Sequence, residues 1–149
     1  MKLEFSGAPE VAAPRDRVWR RVTDPRFVAR SVPGVESVAV IDPTHFSVTS
    51  GFGLGSLKAR LILDGELFDI VPGTSAKMRL RGTAGASSID VLSNITLLNA
   101  AAGNVRLSWS ATSELTGPLS KAGSGLIGGV ARKLTEQFWA DLARRVTDE

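Results

Sequence analysis

Apolar and polar residues alternate singly through most of this chain, and the alternation gives way to a helical period in two places. Leu3, Phe5, Gly7, Pro9 and Val11 are separated by polar or small residues, which predicts an opening strand over residues 2–12. Pro14 suits the first turn of a helix, with Val18 and Val22 facing one way and Trp19 beside them. Asp24-Pro25 then restarts the chain. Asp24 is placed to cap a second short helix that begins at Pro25 and carries Phe27, Val28 and Val32, and Pro33-Gly34 ends it.

From Gly34 to Thr116 the period is two. Phe46, Val48, Ser50, Phe52 and Leu54 share one face, and Leu57, Ala59, Leu61, Leu63 and Leu67 share the matching face of the next strand. Lys58, Arg60, Asp64 and Glu66 lie opposite. Met78 and Leu80 stand between Lys77, Arg79 and Arg81; Ile89, Val91, Ser93, Ile95 and Leu97 follow, then Val105, Leu107, Trp109, Ala111 and Leu115. The breaks are turn-like: Asp42-Pro43, Gly53 to Ser56, Pro72-Gly73, Gly85-Ala86 and Ala102-Gly103-Asn104. Breaks this short predict antiparallel meander connections rather than parallel crossovers.

A long helix closes the chain from near Pro118. Leu126, Val130, Leu134, Phe138, Leu142 and Val146 form an i+4 ridge along it. Each such step advances about 400°, so the ridge winds by about 40° per step and suits a twisted, curling sheet. The predicted order is strand, two short helices, six strands and a long helix. That is one α+β domain over 1–149: a curved antiparallel seven-stranded sheet wrapped around the C-terminal helix, with two short helices after the first strand.

Composition narrows the chemistry. The chain has no cysteine and a single histidine, so thiolate catalysis, disulfides, cysteine-ligated zinc and any two-histidine site are excluded. A net charge of +3, dispersed along the chain, does not point to nucleic acid. No apolar run reaches the ~18 residues needed to span a bilayer, and Met1 to Glu4 lead directly into alternation rather than a signal segment. A cytoplasmic domain is expected.

Strand parity tests for catalysis. On the apolar faces the polar residues of the strand bodies are Ser50, Ser93 and Ser113, while Asp64, Glu66, Asp90 and Glu114 fall on the other face. A general acid–base pair needs ionisable groups pointing inward, and none is predicted there. Asp69 has inward parity but sits near a strand end, where a rim role is expected. His45 falls in a turn, and Thr112 has the wrong parity to face inward. Gly51-Phe52-Gly53-Leu54-Gly55 lacks the spacing of a phosphate loop and is followed by a strand, so it reads as hairpin chemistry. Lys58, Arg60, Lys77, Arg79 and Arg81 form an outward basic group, with Glu66 predicted beside Arg79 and Asp64 beside Arg81. It reads as a solvated face, with an acidic partner or an anionic membrane as the alternative.

Several motifs together resemble the G-subunit family of carbon monoxide dehydrogenase. They are Asp24-Pro25 with Val28-Ala29, then Val32-Pro33-Gly34-Val35-Glu36, Arg81-Gly82-Thr83-Ala84-Gly85 and Leu115-Thr116-Gly117-Pro118-Leu119. The closing run Gly123, Leu126-Ile127, Gly129, Ala131 and Phe138-Trp139 completes them, so the resemblance spans the whole chain. It implies the helix-grip fold of START-like and Bet v 1-like (SRPBCC) proteins, which hold apolar ligands between sheet and last helix. It also implies an accessory role beside a molybdenum hydroxylase of the carbon monoxide dehydrogenase type, in maturation, membrane recruitment or handling of a lipophilic carrier such as a quinone. Contact with the inner membrane face would be peripheral: members often carry a tail that can end in an anchor, but this sequence ends at Glu149, so the anchor is not carried over.

By pattern alone, Phe46, Phe52, Leu54, Leu61, Leu63, Met78, Leu80, Ile95, Trp109, Ile127, Val130, Leu134 and Phe138 describe a packed core. The helix-grip resemblance makes them the lining of a cavity, with Ser50, Ser93 and Ser113 as polar anchors. No cofactor or metal is expected. Gly123, Gly125, Gly128 and Gly129 remain, each costing ~0.5–1 kcal/mol in a helix interior. Gly123 falls on the buried face of the wheel and Gly125 and Gly129 opposite, as a ligand gate or a docking surface. A polyketide cyclase-like enzyme of the same fold, or an assembly factor with a filled core, are the competing readings.

Overall fold

The computed structural model describes residues 1–54, 57–121 and 124–149, with the backbone alone for Leu54, Leu57 and Ser124. Alternation over 2–12 becomes two strands, β1 (Lys2–Gly7) and β2 (Glu10–Val11), rather than one. Pro9 sits in the break, where it gives no N–H to a ladder. Both strands pair antiparallel with β8 (Val105–Thr116), so β2 extends the line of β1. Between them and the meander lie α1 (Arg15–Val22) and α2 (Pro25–Ala29). Asp24 caps α2 as expected, its Oδ1 accepting from the N–H groups of Arg26 at 3.0 Å and Phe27 at 3.4 Å.

The remaining strands are β3 (Val35–Asp42), β4 (His45–Leu54), β5 (Leu57–Val71), β6 (Ser75–Ala84) and β7 (Ser87–Asn99). The sheet runs β1-β8-β7-β6-β5-β4-β3, antiparallel throughout. Across its concave face lies α3 (Ser124–Thr147), so the helix-grip arrangement is present. No helix among the described residues is long and apolar enough to cross a membrane.

The α3 ridge departs from expectation at its start. Leu126 is 58% exposed, whereas its neighbour Ile127 is 6% exposed. On the helix wheel Leu126 lies about 120° from Phe138 and Ile127 only about 20° from it. The buried stripe therefore winds less than the i+4 ridge does, and by Leu126 the ridge has left the sheet. Farther along, Phe138, Leu142 and Val146 stay buried, joined by Trp139 and Ala143.

Two glycines shape the sheet. Gly65 lies opposite Phe46, whose ring occupies the space where a Cβ would stand. At Gly82 a Cβ would come within 1.8 Å of the Ile62 carbonyl oxygen, so β5 and β6 approach too closely there for any side chain. Asp69 has φ +48 in a register shift between Phe68 and Val71. The bulge reverses its expected inward parity, and its carboxylate stands exposed 3.4 Å from Lys77 Nζ.

On the convex face the register places Asp64 opposite Arg81 and Glu66 opposite Arg79. The side chains nevertheless choose β7: Arg79 forks onto Asp90 with bonds of 3.0 and 2.9 Å, and Arg81 approaches the same carboxylate at 3.5 Å. Asp64 instead accepts from Ser47 Oγ at 2.6 Å, and Arg60 pairs with Glu36. Most of the basic group is thus neutralised by its own sheet. The Arg79 hydrogen bonds hold the Asp90 carboxyl below its ordinary range, against a smaller opposing effect of burial.

Two outcomes follow from this packing. Gly82→Ala destabilises by about 1–3 kcal/mol or more, because the clash is with backbone, as read from the urea midpoint. Asp90→Asn lowers stability at pH 7. A depressed folded pKa contributes stability above the unfolded carboxylate value and loses it as pH falls through the folded one. The gap between Asp90→Asn and wild type in urea titrations therefore closes at acid pH; a gap that persists once the carboxyl is protonated in both states would exclude the pair as its cause.

Candidate ligand-binding site

The core between sheet and α3 is divided by an aromatic floor. Trp109 of β8 stacks on Trp139 of α3 with centroids 5.4 Å apart and planes 13° apart, and Phe138 meets Trp139 edge-on at 4.8 Å. Gly7 passes under the Trp109 indole, where a Cβ would come within 2.7 Å of Nε1. On one side the interior is filled: Val11, Val18, Val22, Ile95, Leu97, Val105, Leu107, Leu142 and Val146 are all buried. Arg145 locks α3 to α2 here, donating to the Phe27 carbonyl at 3.0 Å and to Ser31 Oγ at 2.7 Å with its guanidinium 4.0 Å from the Phe27 ring. Partial burial pushes the Arg145 pKa down.

On the other side lies a cavity of about 170 Å³. Strand register explains the hollow. One inward row runs Phe5, Ala111, Ser93, Met78 and Leu67, the next runs Leu3, Ser113, Val91, Leu80 and Gly65, and a third runs Leu115, Ile89, Gly82 and Leu63. Small residues interrupt the first two rows, Ala111 and Ser93 in one and Ser113 in the other, and all three line the hollow. Facing them, α3 presents Ala131 and Thr135 between Ile127, Val130 and Leu134. Small side chains thus oppose small side chains, and the space stays unfilled.

Of the residues expected to line a cavity, Phe52, Leu61, Leu63, Met78, Leu80, Ile127, Val130, Leu134 and Phe138 do so. Phe46, Ile95 and Trp109 do not: Phe46 covers Gly65, and Ile95 and Trp109 belong to the packed side and its floor. The Leu54 side chain and Gly123 lie outside the described residues. Ser93 and Ser113 bring hydroxyls to the wall; Ser50 does not reach it, and its buried Oγ has no hydrogen-bond partner.

Sequence reasoning missed Val32 and Pro33, which close the wall from the end of α2, and also Leu3, Ile89, Val91 and Leu119. Parity already placed Ile89 and Val91 on the concave face. Val32 reads by sequence as part of the second helix's apolar face, four residues after Val28, but α2 ends at Ala29 and leaves it, with Pro33, in the connection to β3. Leu119 sits in the 3₁₀ turn Pro118–Lys121, where no period marks it. The wall is deepest at Met78, Ser93, Ala111 and Phe138, which are buried. It becomes half-buried toward Phe52, Leu61, Ile89, Leu119 and Val130, at the end where α3 begins.

Ionisable groups are nearly absent from this wall. Among the described lining residues Glu114 alone ionises, at the rim, with its side chain 54% exposed and 3.7 Å from the N-terminal amine. His45 is remote, at the start of β4 rather than in the turn before it, its Nδ1 2.8 Å from Asp42 Oδ1. The Thr44 N–H, and then His45, hold the Asp42 carboxyl below its ordinary value. Gly51 to Leu54 form ladder rungs with β5, not a phosphate loop. Gly125 and Gly129 face away from the sheet with open space where a Cβ would stand, while Gly128 faces Leu3 at 3.9 Å.

Comparison with known proteins agrees with this architecture. A conserved protein from Geobacillus kaustophilus superposes with a TM-score of 0.85 at 21% identity, covering 98% of this chain and 96% of the other. A START superfamily protein from Mycobacterium smegmatis gives 0.69 at 12% identity, covering 97% of both chains. The ZhuI aromatase/cyclase from a Streptomyces species also gives 0.69, at 14% identity, covering 99% of this chain and 93% of its own. At such identities these likenesses show the fold, a START/Bet v 1-like helix grip. No curated protein matches the sequence significantly. The family model for the G-subunit of carbon monoxide dehydrogenase (CoxG) matches residues 7–147, nearly the whole chain, and the protein therefore belongs to the CoxG family.

Proposed function

We propose that this protein binds a lipophilic small molecule, quinone or lipid-like, between the sheet and α3. It does so without catalysis, in the cytoplasm, as an accessory to a molybdenum hydroxylase of the carbon monoxide dehydrogenase type. The carrying observation is the apolar cavity with two hydroxyls in its wall, Ser93 and Ser113. Burial of apolar surface supplies affinity there, and the hydroxyls orient a polar oxygen of the guest. An engineered apolar cavity of roughly 150 Å³ in another protein takes up benzene, so this one admits a compact ring or the head of a longer molecule. Family membership supports the hydroxylase as partner. The sparsely ionisable wall supports binding over acid–base chemistry.

Ala111→Leu fills the hollow between Ser93 and Phe5. It leaves the far-ultraviolet circular dichroism and thermal transition in place and weakens binding of an apolar fluorescent probe, or its displacement by a short-chain quinone, by at least tenfold. Ile95→Val, on the packed side, costs about 0.5–1.5 kcal/mol of stability and leaves probe affinity unchanged. The reverse pattern would place the ligand elsewhere.

The outward glycines of α3 fit a gate: a helix half weakened at Gly125 and Gly129 opens to admit the ligand. Gly125→Ala combined with Gly129→Ala stabilises the fold by ~0.5–1 kcal/mol per site, because neither added methyl meets a neighbour. Stopped-flow displacement of the bound probe then slows. Unchanged exchange in the stabilised double variant rejects the gate.

A further inference from the structure

The buried wall of the cavity carries side-chain polarity in one form, the neutral hydroxyl. Ser93 and Ser113 are 2% and 9% exposed, and both line the hollow. Other serines are engaged, Ser47 with Asp64, Ser87 with the Leu119 N–H and Ser120 with the Gly117 carbonyl, whereas no hydrogen bond among the described residues engages Ser93 or Ser113. Register supplies the reason. Ser93 stands between Met78 and Ala111, and Ser113 between Val91 and Leu3, so neither has a polar side chain beside it across the strands. The two are diagonal neighbours on β7 and β8, about 7–8 Å apart, a distance that one compact guest spans.

The wall offers no charge to an anion. Among the described residues no lysine, arginine or histidine lines it, and its one carboxylate, Glu114, is exposed at the rim. The Met1 amine at that rim already donates to the Leu115 carbonyl at 2.7 Å and stands 3.7 Å from Glu114. Residues 55–56 and 122–123 are Gly-Ser and Ala-Gly and carry no ionisable group. A carboxylate or phosphate drawn into this hollow loses its hydration and meets no compensating cation. A serine hydroxyl, by contrast, donates to a carbonyl and accepts from an alcohol with the same oxygen.

We propose that the cavity selects uncharged guests and holds a ring ketone and the corresponding ring alcohol equally well, with Ser93 and Ser113 setting this specificity. The inference rests on the ligand reading above and narrows it. Free fatty acids and phospholipid headgroups are rejected. A neutral oxygenated ring is admitted, its oxygen at Ser93 and Ser113 and its apolar remainder toward the half-buried end at Ile89 and Leu119.

Four guests on one skeleton test it by displacing the apolar fluorescent probe from the full chain: tetralin, its ketone tetralone, its alcohol tetralol and tetralin carboxylate. At pH 8 the ketone and the alcohol bind within about threefold of each other, and each binds more tightly than tetralin, because the hydroxyls serve either role. The carboxylate binds at least a hundredfold more weakly than the ketone. It gains about tenfold for each unit by which the pH falls toward its own pKa, since only the protonated acid enters. Ser93→Ala combined with Ser113→Ala erases the preference for ketone and alcohol over tetralin, and an unchanged thermal midpoint verifies the fold of the variant. Three results each overturn the proposal while leaving the cavity a binding site: carboxylate affinity at pH 8 equal to that of the ketone, a tenfold or larger difference between ketone and alcohol, or a double variant that keeps the preference. Failure of tetralin, tetralone and tetralol alike to displace the probe removes the ligand reading itself, and this inference with it.

Discussion

The stack of Trp109 on Trp139 sets where the helix lies on the sheet, and most other features of the interior follow from it. An indole pair at 5.4 Å leaves little freedom in the distance between β8 and α3. Gly7 makes room beneath one ring, and Phe138 closes against the edge of the other. Once the helix is held at this height, the side chains on each side of the floor decide whether the interior fills. Large residues from β2, α1 and the far strand ends fill one half. Small residues from β6, β7, β8 and α3 leave the other half hollow.

The hollow has a thermodynamic consequence. Side chains lining the hollow have no partner atoms on their inner side and forgo the dispersion contacts that a filled core would make. The packed half, with Arg145 tying α3 to α2, must carry the fold.

Charge is distributed with the same asymmetry. The convex sheet satisfies its own cations across strands, with the Arg79, Arg81 and Asp90 cluster as the clearest case. Parity put the basic residues on that face correctly, yet the partner of Arg79 was not the residue directly opposite it on β5. A long guanidinium reaches diagonally or to the other neighbouring strand, and the choice depends on twist and local crowding, which the sequence pattern does not contain. Asp69 shows the same limit, because a single left-handed residue in a bulge reverses the parity on which its inward placement depended.

Period and punctuation alone determined the order of elements, the two short helices, the antiparallel meander and the concave face. These depend on local propensity and on alternation, which every residue reports about itself. The motifs determined the family, and parity already kept Asp64, Glu66 and Asp90 off the concave face, with Glu114 reaching only the cavity rim. Tertiary structure decided three things that no local rule carries: that Phe46, Ile95 and Trp109 pack while Phe52 and Leu61 stand at a cavity, that Val32, Pro33 and Leu119 close its wall, and that Leu126 leaves the buried stripe. Each depends on the volume left between a helix and a curved sheet. That volume is a sum over residues far apart in sequence, and it takes a value only when the two surfaces meet.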